Sequence, residues 1–279
     1  MENSLEKAIW LKANQLSFKI GSKYLLKDIN LSIENGEFVG ILGPNGAGKS
    51  TLIKLLSGFL KPFEGEIFIN EKKINEYPLA KLAQLRAVMQ QHLSMNIGFN
   101  VIDVILFGQV SIKSTSSSLM LDTHYHSLKT DSALIEIIEL TECNALLNRN
   151  IQSLSGGEQQ RVHLARTLYQ IWSNTSDMVG IFLDEPTSAL DLYYQQNLLR
   201  LLKNIAKEKK IAICAILHDV NLAALYADRL IVLNNGVVKL DAPPHFVLTH
   251  PEFFNWYRLD GGITYHTEHQ SIPQIYLKR

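Results

Sequence analysis

Gly43-Pro44-Asn45-Gly46-Ala47-Gly48-Lys49-Ser50 follows the apolar run Phe38-Val39-Gly40-Ile41-Leu42 and leads into Thr51-Leu52-Ile53-Lys54-Leu55-Leu56. A strand, a glycine loop and a helix are therefore predicted in direct succession. Glycines without a Cβ let consecutive backbone N–H groups turn inward around phosphate oxygens, and the helix starting near Gly48 points its positive dipole end at the same anion. Lys49 supplies a mobile point charge for β- and γ-phosphates, and Ser50 supplies a hydroxyl for Mg²⁺. A glycine turn with no ligand would not need that flanking strand and helix.

Working outward, residues Leu16 to Ile33 alternate loosely between apolar and polar and break at Gly21-Ser22, which predicts antiparallel strands ahead of the loop. The helix after the loop is expected to end at Gly58, and Gly65 to Asn70 to form another short strand. From about Leu93 the pattern changes. Helical periodicity runs over Val101–Gly108 and again over Ala133–Leu147, where Leu134, Ile137, Ile138 and Cys143 recur near 3.6 residues. Between these helices the serine-rich stretch Ser111–Ser118 has little to bury and is expected to be a surface loop. Val179–Leu183 and Ile211–Leu217 are apolar runs of strand length, as in a parallel sheet covered on both faces. With the leucine-bearing helix Tyr193–Lys210 between them they make a βαβ unit.

Ligands of open α/β sheets sit at the carboxyl ends of strands, where Asp184, Glu185 and His218 fall. In a nucleotide site the aspartate can hold Mg²⁺ and the glutamate can polarise an attacking water. Alone, the two acids would equally suit a helix cap. His218 can donate to a γ-phosphate, although a lone strand-end histidine is more often structural. Leu154-Ser155-Gly156-Gly157-Glu158-Gln159 is a second glycine-bearing helix start, followed by Val162, Leu164, Ala165 and Leu168 on one stripe. Exposed N–H groups and a serine hydroxyl make it an anion site, or by itself an ordinary serine-capped helix.

Composition bounds the rest. With 279 residues and 46% apolar content the chain can bury a substantial core, and 27 basic side chains balance 27 acidic ones. No net field recruits nucleic acid, and no apolar run reaches membrane-spanning length, so a cytosolic body held at a membrane only by partners is expected. Cys143 and Cys214 sit in apolar settings without ligand spacing and are read as reduced packing residues.

Taken together, these motifs resemble the ATP-binding-cassette family. Gly43–Ser50 looks like Walker A, Leu154–Gln159 like the family signature, and Ile181–Asp184 like Walker B with Glu185 after it. Ser188-Ala189-Leu190-Asp191 looks like the D-loop and His218 like the switch histidine; the Q-loop glutamine matches Gln91, or else Gln90. The resemblance spans roughly Leu11 to His250. It implies an α/β fold, a P-loop NTPase (RecA-like) core with an N-terminal antiparallel β subdomain and an inserted α-helical subdomain. The cassette would occupy residues 11–250, the helical insertion about 92–165 and a C-terminal tail 251–279.

The resemblance also implies ATP held by Gly43, Pro44, Asn45, Gly46, Ala47, Gly48, Lys49, Ser50 and Thr51. Mg²⁺ would lie on Ser50, Gln91 and Asp184, with Glu185, His218 and Gln91 catalytic. Such cassettes pair head to tail, so Ser155, Gly156, Gly157 and Asp191 would serve the nucleotide of a second copy. Within the family the chain is similar to importer ATPases for iron chelates, and among them to those for haem. Leu183–Gln196, Leu217–Arg229, Gln170–Asp177 and Pro273–Lys278 carry that similarity. It implies transmembrane permease subunits as partners, an extracytoplasmic haem-binding protein acting through them, no nucleic acid, and a place on the cytoplasmic face of a bacterial inner membrane. A ferric-siderophore or cobalamin importer ATPase is the alternative, and a soluble non-transport cassette a more distant one.

One feature departs from that pattern. Ile20 precedes Gly21 where many cassettes stack adenine on an aromatic ring, leaving Phe18 or Tyr24 to substitute. His124-Tyr125-His126 carry haem-ligating side chain types, but they border the serine-rich loop and are read as surface residues.

Overall fold

The computed structural model describes residues 8–90, 98–113, 131–174, 177–269 and 271–279. Gln91, His124-Tyr125-His126, Ser114–Ser118, Thr175 and Ser176 lie outside the described residues.

Strands β1 (Ile9–Ile20) and β2 (Lys23–Glu34) form an antiparallel pair turning at Gly21, where φ is 60°. Their inward residues, among them Leu11, Ala13, Leu16, Leu26, Ile29 and Ile33, are buried. With β4 (Glu64–Ile69) and β5 (Lys72–Lys73) they make a four-stranded sheet, ordered β2-β1-β4-β5.

The central sheet reads β10-β9-β3-β8-β7-β6. Its members are β3 (Phe38–Leu42), β6 (Arg86–Met89), β7 (Gly180–Leu183), β8 (Ala212–Ile216), β9 (Arg229–Asn234) and β10 (Val237–Ala242). Five strands run parallel and β10 closes the edge antiparallel. Every residue of β3, β7 and β8 is buried, the condition for a sheet covered on both faces. One face packs on the antiparallel sheet and on α1 (Lys49–Leu56). Trp10 seals this join: its ring lies 5.3 Å from that of Phe182, and a Cβ on Gly180 would sit 2.4 Å from the indole. Arg229 binds Glu37, Asp241 and the Ser32 carbonyl, tying β9 to β10 and to β2.

Helix α2 (Leu79–Leu85) buries Leu82 and Leu85 on the side of α1, and the opposite face carries α3 (Val101–Lys113), α4 (Ser132–Leu140), α5 (Gly156–Ile171), α6 (Leu192–Lys209) and α7 (Val220–Tyr226). Two helical expectations are corrected. The helix predicted over Val101–Gly108 runs on to Lys113 and takes in the first residues of the serine-rich stretch. Gly108 serves packing and not termination, since a Cβ there would lie 2.4 Å from the Arg166 carbonyl on α5. The helix predicted over Ala133–Leu147 stops at Leu140: Thr141 bonds back to the Ile137 carbonyl, and Glu142 turns left-handed at φ 54°. Cys143 is buried just beyond that stop.

The chain finishes with α8 (Pro244–Leu248), α9 (Phe253–Tyr257) and the hairpin β11 (Gly261–Tyr265) and β12 (Pro273–Leu277). Phe253 is fully buried in the main core, and Asn221 of α7 exchanges two hydrogen bonds with Ile275, at 3.0 and 2.7 Å.

Candidate functional site

Strands β3, β8 and β7 are neighbours, and each hands its chain to a predicted functional group at the carboxyl end. β3 leads to the glycine loop, β7 to Asp184 and Glu185, and β8 to His218. An open pocket of about 560 Å³ lies over these ends, lined by Asn45, Gly46, Lys49, Ser50, Thr51, Glu185, His218 and others. It falls within the roughly 300–1,000 Å³ of small-molecule sites.

The loop is shaped to its place. Gly43 has φ 146°, and a Cβ there would lie 2.0 Å from the Leu233 carbonyl oxygen, so no side chain fits. Lys49 is 7% exposed and its ammonium donates to the carbonyls of Gly43 (2.7 Å) and Pro44 (3.1 Å). Burial lowers its pKa, and the charges of Glu185 and Asp184 oppose that shift. The Ser50 hydroxyl donates to Asp184 Oδ1 at 3.1 Å. Asp184 is 8% exposed, and burial raises its pKa against the Ser50 hydrogen bond. His218 Nε2 meets Glu185 Oε1 at 2.7 Å. Lysine, serine, both carboxylates and the histidine thus converge as the sequence implies.

Ser155, Gly156 and Gly157 do not line this pocket. Ser155 caps α5 in a reciprocal box, its hydroxyl accepting from Glu158 N–H at 3.3 Å and its own N–H donating to Glu158 Oε2 at 2.8 Å. Ser155 and Gly156 are exposed. Asp191 caps α6, accepting from the Tyr194 N–H at 3.0 Å.

Several groups were not foreseen. Leu25 of β2 lines the phosphate pocket, whereas neither aromatic candidate for adenine does: Phe18 packs against the core, and Tyr24 meets Phe63 edge-on at 6.4 Å. Ile20 is 65% exposed. Gln160 and Gln195 bond the loop after Glu185, a role that their spacing alone did not signal. The C-terminal segment reaches the other flank of the glycine loop, where Pro44, Asn45, Asn234, Trp256 and Arg258 surround a polar recess. Burial pushes the Tyr257 hydroxyl above its usual range, opposed by the Gly43 backbone N–H.

The family model described as ABC transporter matches residues 26–188. The chain is 42% identical over 251 residues to the hemin import ATP-binding protein HmuV of Escherichia coli O157:H7, covering 90% of this chain and 93% of that protein. A metal-chelate type ABC transporter in an inward-facing conformation is similar in fold, with TM-score 0.77 at 24% identity, over 97% of this chain and 98% of that one. The cassette MJ0796, solved as a dimer in a post-hydrolysis state bound to ADP and Pi, gives TM-score 0.68 at 28% identity, over 84% and 98% of the two chains. Among the described residues no helix is long and apolar enough to cross a membrane.

Proposed function

The chain belongs to the ABC transporter family of ATPases, and from that premise we propose that it is the ATP-hydrolysing subunit of a bacterial importer that energises haem uptake through a transmembrane permease. The observation that carries the catalytic part is the meeting of Lys49, Ser50, Asp184, Glu185 and His218 at the ends of three adjacent parallel strands. The similarity to a hemin import ATP-binding protein over most of both chains supports the cargo.

In this reading the backbone N–H groups of Asn45 to Thr51 and the start of α1 hold the phosphates of ATP. Lys49 leaves its loop carbonyls for β- and γ-phosphate oxygens, exchanging neutral acceptors for anionic ones. Glu185 orients the water for in-line attack, and His218, hydrogen-bonded to Glu185, keeps that carboxylate in place beside the γ-phosphate. The hydroxyl of Ser50 and the carboxylate of Asp184, 3.1 Å apart, are hard oxygen donors that suit Mg²⁺, with Gln91 a third candidate. Bound there, Mg²⁺ would neutralise charge on the β- and γ-phosphates. The cassette would comprise residues 11–250 with its helical insertion at about 92–165, and 251–279 would be its tail.

Two copies would pair head to tail, so that Ser155, Gly156, Gly157 and Asp191 of one face the nucleotide of the other, as peripheral subunits beneath the permease at the cytoplasmic membrane face. Closure on ATP and release after hydrolysis then follow from contacts to the γ-phosphate present in only one state. Reconstitution with the native permease in proteoliposomes tests the cargo. Haem on its binding protein should stimulate ATP hydrolysis and enter the vesicles. Uptake of a ferric siderophore or cobalamin instead would keep the ATPase reading and overturn the haem reading.

A further inference from the structure

The loop after β7 is held in a conformation that its own sequence does not favour. Glu185 has φ 55°, in the left-handed region where a residue with a Cβ pays roughly 1 kcal/mol or more. Its carbonyl accepts from Gln160 Nε2 and Ser188 Oγ, each at 3.1 Å. The other end of the same Gln160 amide, Oε1, accepts from the Ala189 N–H at 3.3 Å. One side chain thus closes both ends of the turn, and its two partners fix which way the amide faces.

Gln160 lies on α5, five residues beyond the cap Ser155. The start of that helix rests on the same loop: a Cβ on Gly157 would be 3.2 Å from Leu190 Cδ2, and one on Gly156 3.5 Å from Ala189 Cβ. From the other side Gln195 of α6 donates to the carbonyls of Thr187 (3.2 Å) and Leu190 (2.9 Å). The turn is clamped between two helices, and of the two glutamines it is Gln160 that bonds the Glu185 carbonyl.

We propose that Gln160 is a positioning residue for Glu185: its amide holds the left-handed turn so that the carboxylate stays beside His218 at the phosphate pocket, and it ties that pose to the helix start at Ser155. This rests on the ATPase reading above. Gln160 does not line the phosphate pocket, so it acts through Glu185. It also gives a short physical link, within one chain, between the helix start offered to a second copy and the carboxylate serving the chain's own nucleotide.

The test uses the full chain and two substitutions. Gln160→Met keeps the length and removes both hydrogen-bonding groups. Gln160→Glu is isosteric, still accepts from Ala189, and places an oxygen against the Glu185 carbonyl. Both should lower kcat for ATP hydrolysis about 10- to 30-fold, leave KM for ATP within about twofold, and leave the melting temperature within a few degrees. Added to Glu185→Gln, Gln160→Met should cause no further loss, because the group it positions is already gone. A kcat within twofold of wild type, a KM that rises in step with the loss of kcat, or an equal fold-loss in the Glu185→Gln background would each overturn the proposal. A wild-type chain that hydrolyses no ATP would instead overturn the ATPase reading on which it stands.

Discussion

The molecule carries two glycine-bearing helix starts, at Gly43–Ser50 and at Ser155–Gly157, and their surroundings differ. Around the first, the same chain supplies Asp184, Glu185 and His218, and the loop borders a pocket. Around the second, the described residues place a capping box, Arg149 on the Glu158 carboxylate, and the back of the loop at Ala189 and Leu190. The first glycine is forced by its packing: Gly43 is left-handed and in contact with the Leu233 carbonyl. A Cβ on Gly156 would meet nothing closer than 3.5 Å among the described residues, and its φ is not in the left-handed region, so among them its lack of a side chain serves no packing need. Where a fold does not require a glycine, close approach by something outside it is the remaining physical use. In the proposed head-to-tail pair that something is the γ-phosphate bound to the other copy.

Substitutions can break this contrast. Glu185→Gln, at the first start, should lower the steady-state ATP hydrolysis rate by about 10² to 10⁴ and leave ATP binding in place, read by rapid-quench turnover and by filter binding. Lys49→Ala should weaken nucleotide binding itself. Ser155→Arg, at the incomplete start, should lower hydrolysis by about 100-fold or more while an isolated chain binds ATP as before, since the cation blocks only a neighbour's phosphate. If Ser155→Arg also abolished binding by the monomer, the two starts would serve one nucleotide within a single chain and the contrast would fail.

Stability should separate the two glycines next. Gly43→Ala is expected to cost about 3 kcal/mol or more, through left-handed strain and overlap with the Leu233 carbonyl. Gly156→Ala should change the urea midpoint little and still impair hydrolysis. Equal loss of stability at both positions would remove the distinction.

The last effect appears only in acid and concerns α5 itself. His163, 7% exposed, has no partner for Nδ1 among the described residues, and burial with the nearby Arg166 charge pushes its pKa down to about 4 from 6.5. Between these values the unfolded chain binds a proton that the folded chain refuses. Stability therefore falls as pH drops from 6.5 toward 4, levels off below 4, and is unaffected by this group above 6.5. Replacing His163 by Leu should flatten that slope by up to about 3 kcal/mol in denaturant titrations at pH 7 and pH 4. An unchanged slope would contradict the assignment.

Much of this was readable in the sequence where function imposes a local pattern. The glycine loop needs its strand before and its helix after, and β3 and α1 stand there. Buried parallel strands need continuous apolar runs, and β7 and β8 show them. What escaped depends on distant meetings. Gly108 looks like a helix stop until Arg166 of α5 lies against it. Gln160 is one of two adjacent glutamines on a helix, and only the approach of residues 185–189 selects it. The approach of Tyr257 to Gly43 joins segments more than two hundred residues apart, which no periodicity reports. The adenine contact was left open by the sequence for a related reason, since which ring faces the base depends on how β1 and β2 are registered.

The central claim is that the chain's phosphate site becomes complete only against the Ser155 helix start of a second copy. Sedimentation equilibrium of Glu185→Gln with saturating ATP and Mg²⁺ tests it most directly, with bound nucleotide counted on the same sample. The account predicts a dimer carrying two ATP molecules, reverting to monomers when Ser155→Arg is added although each monomer still binds ATP. A Glu185→Gln chain that stays monomeric with ATP bound, or a dimer indifferent to Ser155→Arg, would contradict it.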